Sequence, residues 1–427
     1  MVERKYYSEA ETLPREKLLK LQEEKLKKAI KYAYENSKFY HKKFDEAGIR
    51  PEDIKTLDDF YKKVPFTSKP ELVRSQRENP PYGGIIAVPP EKLKMLFISP
   101  GPIFEPYTDN DIKVVGRSTA KVMYRAGVRP DDVAQITATY HFMPAGFAFH
   151  FGAQEVGCMV IPAGPGESRM QVDFMKKVGT TVIGGFPSFL AKLGAEAIKL
   201  GVDPKKDLNL RIGVCGGEPL PPSLRKNIEE TFGIDLFEGY GVAELGIIAS
   251  ECEKHSGMHV NEEFFLMEII DPNTLERVEP GEEGEIVCTP LEREALPLIR
   301  YRTGDGSVLI EETCECGRTE ARIPRIMGRV DMITKVKGVF IHPKQAEEVV
   351  KNYPELGRFQ IIVERPGIID EMTIKVECED SSKFEEFKKI LEADFKQALR
   401  IKTNVEVVNP GEIPTEAKRL EDRREFV

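Results

Sequence analysis

An alternation running from about Phe97 to Val287 narrows the fold of this chain more than any other feature. Short apolar runs, VAQITATY, CMVIPA, TTVIGGFP and LRIGVCGG, take turns with helical patterns such as PSFLAKLGAEAIKLG. Apolar runs of about 4–8 residues suit strands buried on both faces, and a helix between successive strands is the connection that parallel pairing requires. The spacing predicts βαβ units and a largely parallel sheet. Upstream, Leu18, Leu19, Leu21, Leu26, Ala29, Ile30 and Ala33 recur at helical spacing among lysines and glutamates, which predicts an outer helical layer. After Gly328 the pattern changes: FQIIVE, EMTIKVECE and NVEVVN predict strands, and SKFEEFKKILEADFKQALR predicts an amphipathic helix. A chain of 427 residues exceeds what one core organises. The expected fold class is α/β: a large N-terminal domain of mixed, mostly parallel sheets and helices over residues 1–327, and a small α+β C-terminal domain over residues 328–427.

Charge and composition exclude several function classes. A formal net charge of -9 argues against nucleic-acid partners, which select a basic face. No apolar stretch approaches the length of a membrane span, and the N-terminus MVERKYYSEAETLPREK is too charged for a secretory signal, so the cytoplasm is the expected compartment. The charged tail TEAKRLEDRREFV reads equally as a solvated surface segment or a functional one. Seven cysteines form no disulfide framework in a chain of this size and are expected as thiols or metal ligands. Cys158, Cys215, Cys288 and Cys378 stand singly in apolar segments and read as buried, inert thiols. Cys252, His255, His259, Cys314 and Cys316 are different. Thiolates and imidazole are zinc-type ligands, and four of them close a tetrahedral site. Cys-x-Cys is tighter than the usual Cys-x-x-Cys, so ordinary reduced thiols stay open as the alternative.

Several stretches together resemble one family. YGVAEL at Tyr240 to Leu245 resembles the YGxTE motif of adenylate-forming enzymes, YRTGD at Tyr301 to Asp305 their ribose motif, and GRVDMITKVKG at Gly328 to Gly338 their hinge. ETLPREKL, YENSKFYHKKFDEAGI, VPFTSKPEL, GGEPL and CECGRT resemble phenylacetate-CoA ligase and its relatives. The resemblance implies an AMP-forming ligase that joins a carboxylic acid, of aryl or arylacetic type, to coenzyme A through an acyl-adenylate. It implies ATP/AMP, Mg²⁺, coenzyme A and a structural Zn²⁺ as cofactors, with the acid and coenzyme A as partners, no nucleic acid and no membrane; a homodimer stays open. Glu244 would ligate Mg²⁺, Tyr240 would stack on adenine with Gly241 and Ala243 beside it, and the turn Gly216, Gly217, Glu218 would pass close to the base. Asp305 would hold the ribose and Arg329 the same sugar or the α-phosphate. Asp331 and Lys335 would form the pivot, followed by Lys337 and Gly338. The metal set implied is Cys252, His259, Cys314 and Cys316, with His255 as a substitute ligand. Tyr140, His141, Phe142, Phe186 and Pro187 would line the acid pocket.

The chain departs from the family pattern at the phosphates. Where relatives carry a loop like SSGTTGKP, this chain has FISPGPIFEPYTDND. Pro100 and Pro102 lack an N–H, the lysine is absent, and Glu105 brings a carboxylate. Ala243 replaces the motif threonine, and Glu416 stands where the adenylation lysine falls, with Lys418 two residues on as the candidate catalytic replacement beside Arg419. A second class therefore stays open: a non-ligase descendant that binds a nucleotide or acyl-CoA without ATP-dependent adenylation.

Overall fold

The computed structural model describes residues 5–330, 334–336, 339–366 and 370–424. The chain opens with helices α1 (Arg15–Asn36), α2 (Lys38–Glu46) and α3 (Leu57–Lys63), the short strand β1 (Thr67–Ser68) and helix α4 (Lys69–Glu78). Leu18, Leu26, Ile30 and Ala33 form the inward stripe of α1, whereas Leu19 and Leu21 are only half-buried. Gln22 takes the remaining inward position because its amide donates to the Glu262 and Phe265 carbonyls at 3.0 and 2.9 Å. A buried amide is tolerated there only with such partners.

A tight hairpin follows, β2 (Leu93–Ser99) and β3 (Ile103–Thr108), in which Ser99 pairs with Ile103. Only Pro100, Gly101 and Pro102 connect the strands, so the turn offers a single N–H. Helix α5 (Asp109–Arg125) then leads into strand β4 (Val133–Ile136), helix α6 (Ala145–Val156), strand β5 (Met159–Pro162), helix α7 (Ser168–Val178), strand β6 (Val182–Gly185), helices α8 (Pro187–Lys199) and α9 (Pro204–Asp207), strand β7 (Ile212–Gly216), helix α10 (Pro222–Phe232) and strand β8 (Asp235–Val242). Strands β4 to β8 are parallel, as the alternation predicts, with neighbour order β8-β7-β6-β4-β5. One face packs on α5 and α6 through Ala120, Val122, Phe149 and Val214, the other on α7, α8 and α10 through Met175, Leu190, Ile228 and Phe232. Antiparallel strands β9 (Gly246–Glu251) and β10 (Met258–Val260) extend the sheet beyond β8, and β14 (Arg322–Ile323) completes it at eight strands.

A second sheet is built from β11 (Phe265–Ile270), β12 (Glu283–Pro290) and β13 (Tyr301–Val308), flanked by β1 and by β15 (Gly328–Arg329). The N-terminal helices cover it in one core containing Leu26, Phe44, Phe60, Ile269 and Ile286. The C-terminal segment has its own core, in which Ile361, Ile374, Leu391 and Phe395 meet. It comprises the pair β16 (Thr334–Val336) and β17 (Val339–Ile341), helix α11 (Pro343–Val350), strands β18 (Leu356–Glu364) and β19 (Glu371–Cys378), helix α12 (Phe384–Leu399), and strands β20 (Asn404–Val408) and β21 (Leu420–Asp422). The charged tail is more than solvated surface, since β21 pairs in parallel with β18. Asp331, Lys337 and Gly338 of the expected hinge lie outside the described residues. No described helix is long and apolar enough to cross a membrane.

Candidate active site and a buried cysteine–histidine cluster

A cavity of about 330 Å³ opens at the carboxyl ends of β7 and β8, where ligands of open α/β sheets characteristically bind. Gly216, Gly217, Gly241, Ala243, Glu244 and Arg329 all line it, so six residues from three separate motifs converge on one place. The glycines are required by the protein itself. A Cβ on Gly216 would sit 2.4 Å from the Gly239 carbonyl, and one on Gly241 would sit 2.3 Å from that of Gly246. Gly217 has φ +78° and lies against the Phe186 ring, where a Cβ would come to 2.8 Å. Glu218 is off the cavity wall and accepts from the Ser188 N–H at 3.2 Å, near the start of α8.

Glu244 is buried, and its Oε1 accepts from the Ser99 hydroxyl at 3.2 Å and from Lys69 Nζ at 2.8 Å. Lys69, the first residue of α4, lines the cavity and was given no role by the sequence. Its signal was present in VPFTSKPEL, but a lysine at a helix start gives no sign of a partner in the distant turn between β8 and β9. Asp305 accepts from the Tyr240 hydroxyl at 3.0 Å and from Arg329 Nη1 at 3.3 Å, and Arg329 also donates to the Thr303 carbonyl at 2.7 Å. Tyr240 stands apart from the other expected residues: it is 6% exposed within the core, is not on the cavity wall, and its hydroxyl supports Asp305.

Glu105 is a correction. It is a fully buried strand residue on the same face of β3 as Tyr107, whose ring lines the cavity. Neither carboxyl oxygen has a hydrogen-bond partner. Burial, helped by the Glu244 charge, raises this carboxyl to about 8 against the opposing pull of Ser99, Arg293 and Lys69. At neutral pH it holds a proton and adds no charge, contrary to the expectation of a repelling carboxylate. Arg293, also buried, lies 4.2 Å over the Tyr107 ring and 3.7 Å from Asp111.

The apolar wall comes from Val122, Met143, Phe149, Phe186 and Val214. Of the aromatic residues expected there, only Phe186 is present. Phe142 is 61% exposed, and its neighbours Met143 and Pro144 take the wall positions. Tyr140 is instead 3.4 Å from His150. Among the described residues, none beyond Arg329 lines the cavity. Lys418 and Glu416 are exposed residues leading into β21. Lys335 sits in β16 opposite Phe340.

Cys252, His259, Cys314 and Cys316 are all buried, with their ligand atoms within 4.8 Å of one another. The Cys252 and Cys314 sulfurs are 3.9 Å apart, and Cys316 Sγ is 3.5 Å from His259 Nε2. A tetrahedron with metal–sulfur bonds of about 2.3 Å has edges of about 3.8 Å, close to both of these distances, so the donor set suits a metal ion. Burial lowers the His259 pKa and keeps its imidazole neutral, as a ligand requires. Hydrogen bonds from Cys252, His259 and the Arg318 N–H hold Cys316 as the thiolate. His255 is no substitute ligand. At φ +47° it turns away to Asp235 and Glu251, at 3.0 and 3.2 Å, and stacks on Phe237. The cluster is braced by a buried ion network in which Glu11 accepts from Arg318, and Glu320 accepts from Arg125 and forms an ion pair with Lys121.

The chain matches the family model for AMP-binding enzymes over residues 113–289 and that for the AMP-binding enzyme C-terminal domain over residues 338–424. It is 38% identical over 383 residues to a phenylacetate-coenzyme A ligase of Thermus thermophilus, covering 88% of this chain and 84% of that protein. It is 35% identical over 435 residues to the phenylacetate-coenzyme A ligase of Escherichia coli, covering 98% and 97%. Its structure is similar to an open conformation of 2-hydroxyisobutyryl-CoA ligase in complex with 2-HIB-AMP and CoA, with a TM-score of 0.89 at 26% identity over 99% of this chain and 95% of the other. With these relatives spanning nearly the whole chain and the family's motifs gathered around one cavity, the chain belongs to the phenylacetate-coenzyme A ligase family of AMP-forming acid–CoA ligases, which act through an acyl-adenylate.

Proposed function

We propose that this ligase takes an aryl or arylacetic monocarboxylic acid, and that it grips the adenylate portion of the nucleotide more firmly than the β- and γ-phosphates. The carrying observation is the cavity wall. It is apolar at Val122, Met143, Phe149, Phe186 and Val214, and its cations are committed: Lys69 to Glu244, Arg329 to Asp305 and Thr303. A second carboxylate on the acid would be buried there without a counter-charge, which is costly.

In this reading the acid's carboxylate attacks the α-phosphorus of ATP, pyrophosphate leaves, and the coenzyme A thiol then displaces AMP from the mixed anhydride. Glu244 would hold Mg²⁺, which neutralises phosphate charge when bound. Lys69, freed from Glu244 by that metal, would turn to the phosphates. Asp305, oriented by Tyr240, would accept from the ribose hydroxyls, and the turn Gly216–Glu218 with Ala243 would flank the base and α-phosphate. Lys418 and the pivot Lys335 belong to a C-terminal domain whose boundary we place at residue 328, and its rotation would have to bring Lys418 to the cavity. Zn²⁺ in the Cys252, His259, Cys314, Cys316 cluster would be structural, since four protein ligands leave no open position. The weak polyphosphate grip rests on the hairpin turn, which retains only the Gly101 N–H. Coenzyme A-dependent AMP release with phenylacetate, benzoate, 2-hydroxyisobutyrate and malonate tests the acid. Turnover with the two aryl acids is expected, and a preference for malonate would contradict the reading.

A further inference from the structure

Two stretches that the nucleotide site leaves without a role, ETLPREKL and CECGRT, meet in the fold. Residues 5–14 pair with no described strand and form only one short helical turn, Glu9–Thr12, so their position depends on side chains. Glu11 is fully buried among them. Its Oε1 accepts from the Tyr7 and Ser8 N–H groups at 2.7 and 3.2 Å, which folds the segment back on itself, and its Oε2 accepts from Arg318. The Thr319 N–H donates to the Glu11 carbonyl at 2.9 Å, and the Thr319 hydroxyl donates to the Leu13 carbonyl. Nearer the start of the chain, the Tyr6 hydroxyl and Lys5 Nζ both donate to the Cys316 carbonyl, at 3.0 and 3.1 Å. Gly317 has φ +90°, and a Cβ there would stand 2.6 Å from the Tyr6 hydroxyl, so the turn leaves room for that side chain alone.

These contacts reach two of the four residues of the cysteine–histidine cluster. Arg318, held by Glu11, donates its backbone N–H to Cys316 Sγ at 3.5 Å. Arg125, 3.8 Å from the same Glu11 oxygen, donates to the His259 carbonyl at 3.0 Å. A carboxylate with no exposed surface depends on its cations, and here those cations also orient the cluster. The turn 314–319 therefore has two supports: the N-terminal segment on one side and, on the other, whatever joins its two sulfurs to Cys252 and His259. Two partners that order one turn strengthen each other's binding by the same factor. We propose that residues 5–13 are the outer shell of the cysteine–histidine site, so that metal binding and docking of the N-terminal segment reinforce each other through the turn 314–319, with Glu11 as the link. The proposal rests on the reading that the cluster holds Zn²⁺.

Competition for zinc between the full chain and a chromogenic chelator, together with hydrogen exchange, tests this. Glu11→Gln keeps the shape and removes the charge, and is expected to weaken zinc binding about 10- to 100-fold. Tyr6→Phe, at a half-buried site where folding is not at stake, should weaken it roughly two- to tenfold. Tyr7→Phe removes the bond of the same segment to Glu155 and none to the turn, and should leave zinc binding unchanged. In the wild type, stripping the zinc should make the Tyr7 and Ser8 amides exchange at least about tenfold faster while those of β6 and β7 keep their protection. Freshly purified protein without zinc would overturn the zinc reading and this proposal with it. Zinc that is present but held equally well by Glu11→Gln and Tyr6→Phe would overturn the proposal alone, as would an N-terminal segment whose exchange ignores zinc removal. Should Glu11→Gln fail to fold, Tyr6→Phe and the stripped wild type decide the outcome.

Discussion

Glu105 illustrates how one buried side chain couples stability to pH. Its carboxyl is raised from an ordinary value of 4.5 to about 8 by burial and by Glu244. Between those values the folded chain holds a proton that the unfolded chain has lost, so this residue's contribution to stability falls as pH rises. Glu105→Gln, isosteric and always neutral, should therefore melt higher than the wild type, by a margin that grows from about pH 5 to about pH 8. A margin that is flat or shrinks with pH in thermal melts would mean that Glu105 is ionised in the fold. Asp305 gives the complementary case, a partly exposed carboxylate to which the proposed function assigns the ribose. Asp305→Ala should weaken AMP binding by about 1.5–3 kcal/mol, roughly 10- to 150-fold, with the melt little changed. Unaltered AMP affinity by calorimetry would show that the ribose is held elsewhere. That Glu244 lies on the cavity wall and Asp305 beside Arg329 could be anticipated from the sequence because their motifs are local. Lys69 and the protonated state of Glu105 could not, since each depends on partners that only folding brings near.

At the scale of elements, the parallel strands were legible because each is an apolar run bounded by turn residues. The antiparallel extension through β9, β10 and β14 was not, because β10 and β14, of three and two residues, carry no period. The same extension explains the cysteine–histidine cluster. β9 ends beside Cys252, β10 carries His259, and β14 follows Cys314 and Cys316, so pairing of these strands brings the four side chains together. His255 and His259 looked equivalent in sequence, and the turn at His255 separates them. Freshly purified protein should contain about one zinc per chain, and a strong chelator should lower its melting temperature by more than about 5 °C, as expected when a structural metal contributes several kcal/mol. Metal analysis finding no zinc would refute that assignment.

For the whole molecule, the two sheets and their helical layers set the cavity that the proposed function gives to the adenylate beside the hairpin of β2 and β3, and the C-terminal segment has a core of its own. Where a longer loop would surround the β- and γ-phosphates with amide donors, the three-residue turn from Pro100 to Pro102 keeps one. A lost preorganised donor typically costs about 2.7–4 kcal/mol of transition-state stabilisation, so in the proposed function polyphosphate contacts would come from Lys69, a metal at Glu244 and Lys418 or Arg419 after rotation. At rest, Arg419 is engaged with Glu347 at 2.8 Å. The measurement that bears most directly on this account is a side-by-side titration of the wild type with AMP and with MgATP, in the presence and absence of an aryl acid. AMP should bind at least as tightly as MgATP; clearly tighter MgATP together with rapid pyrophosphate release would contradict the account.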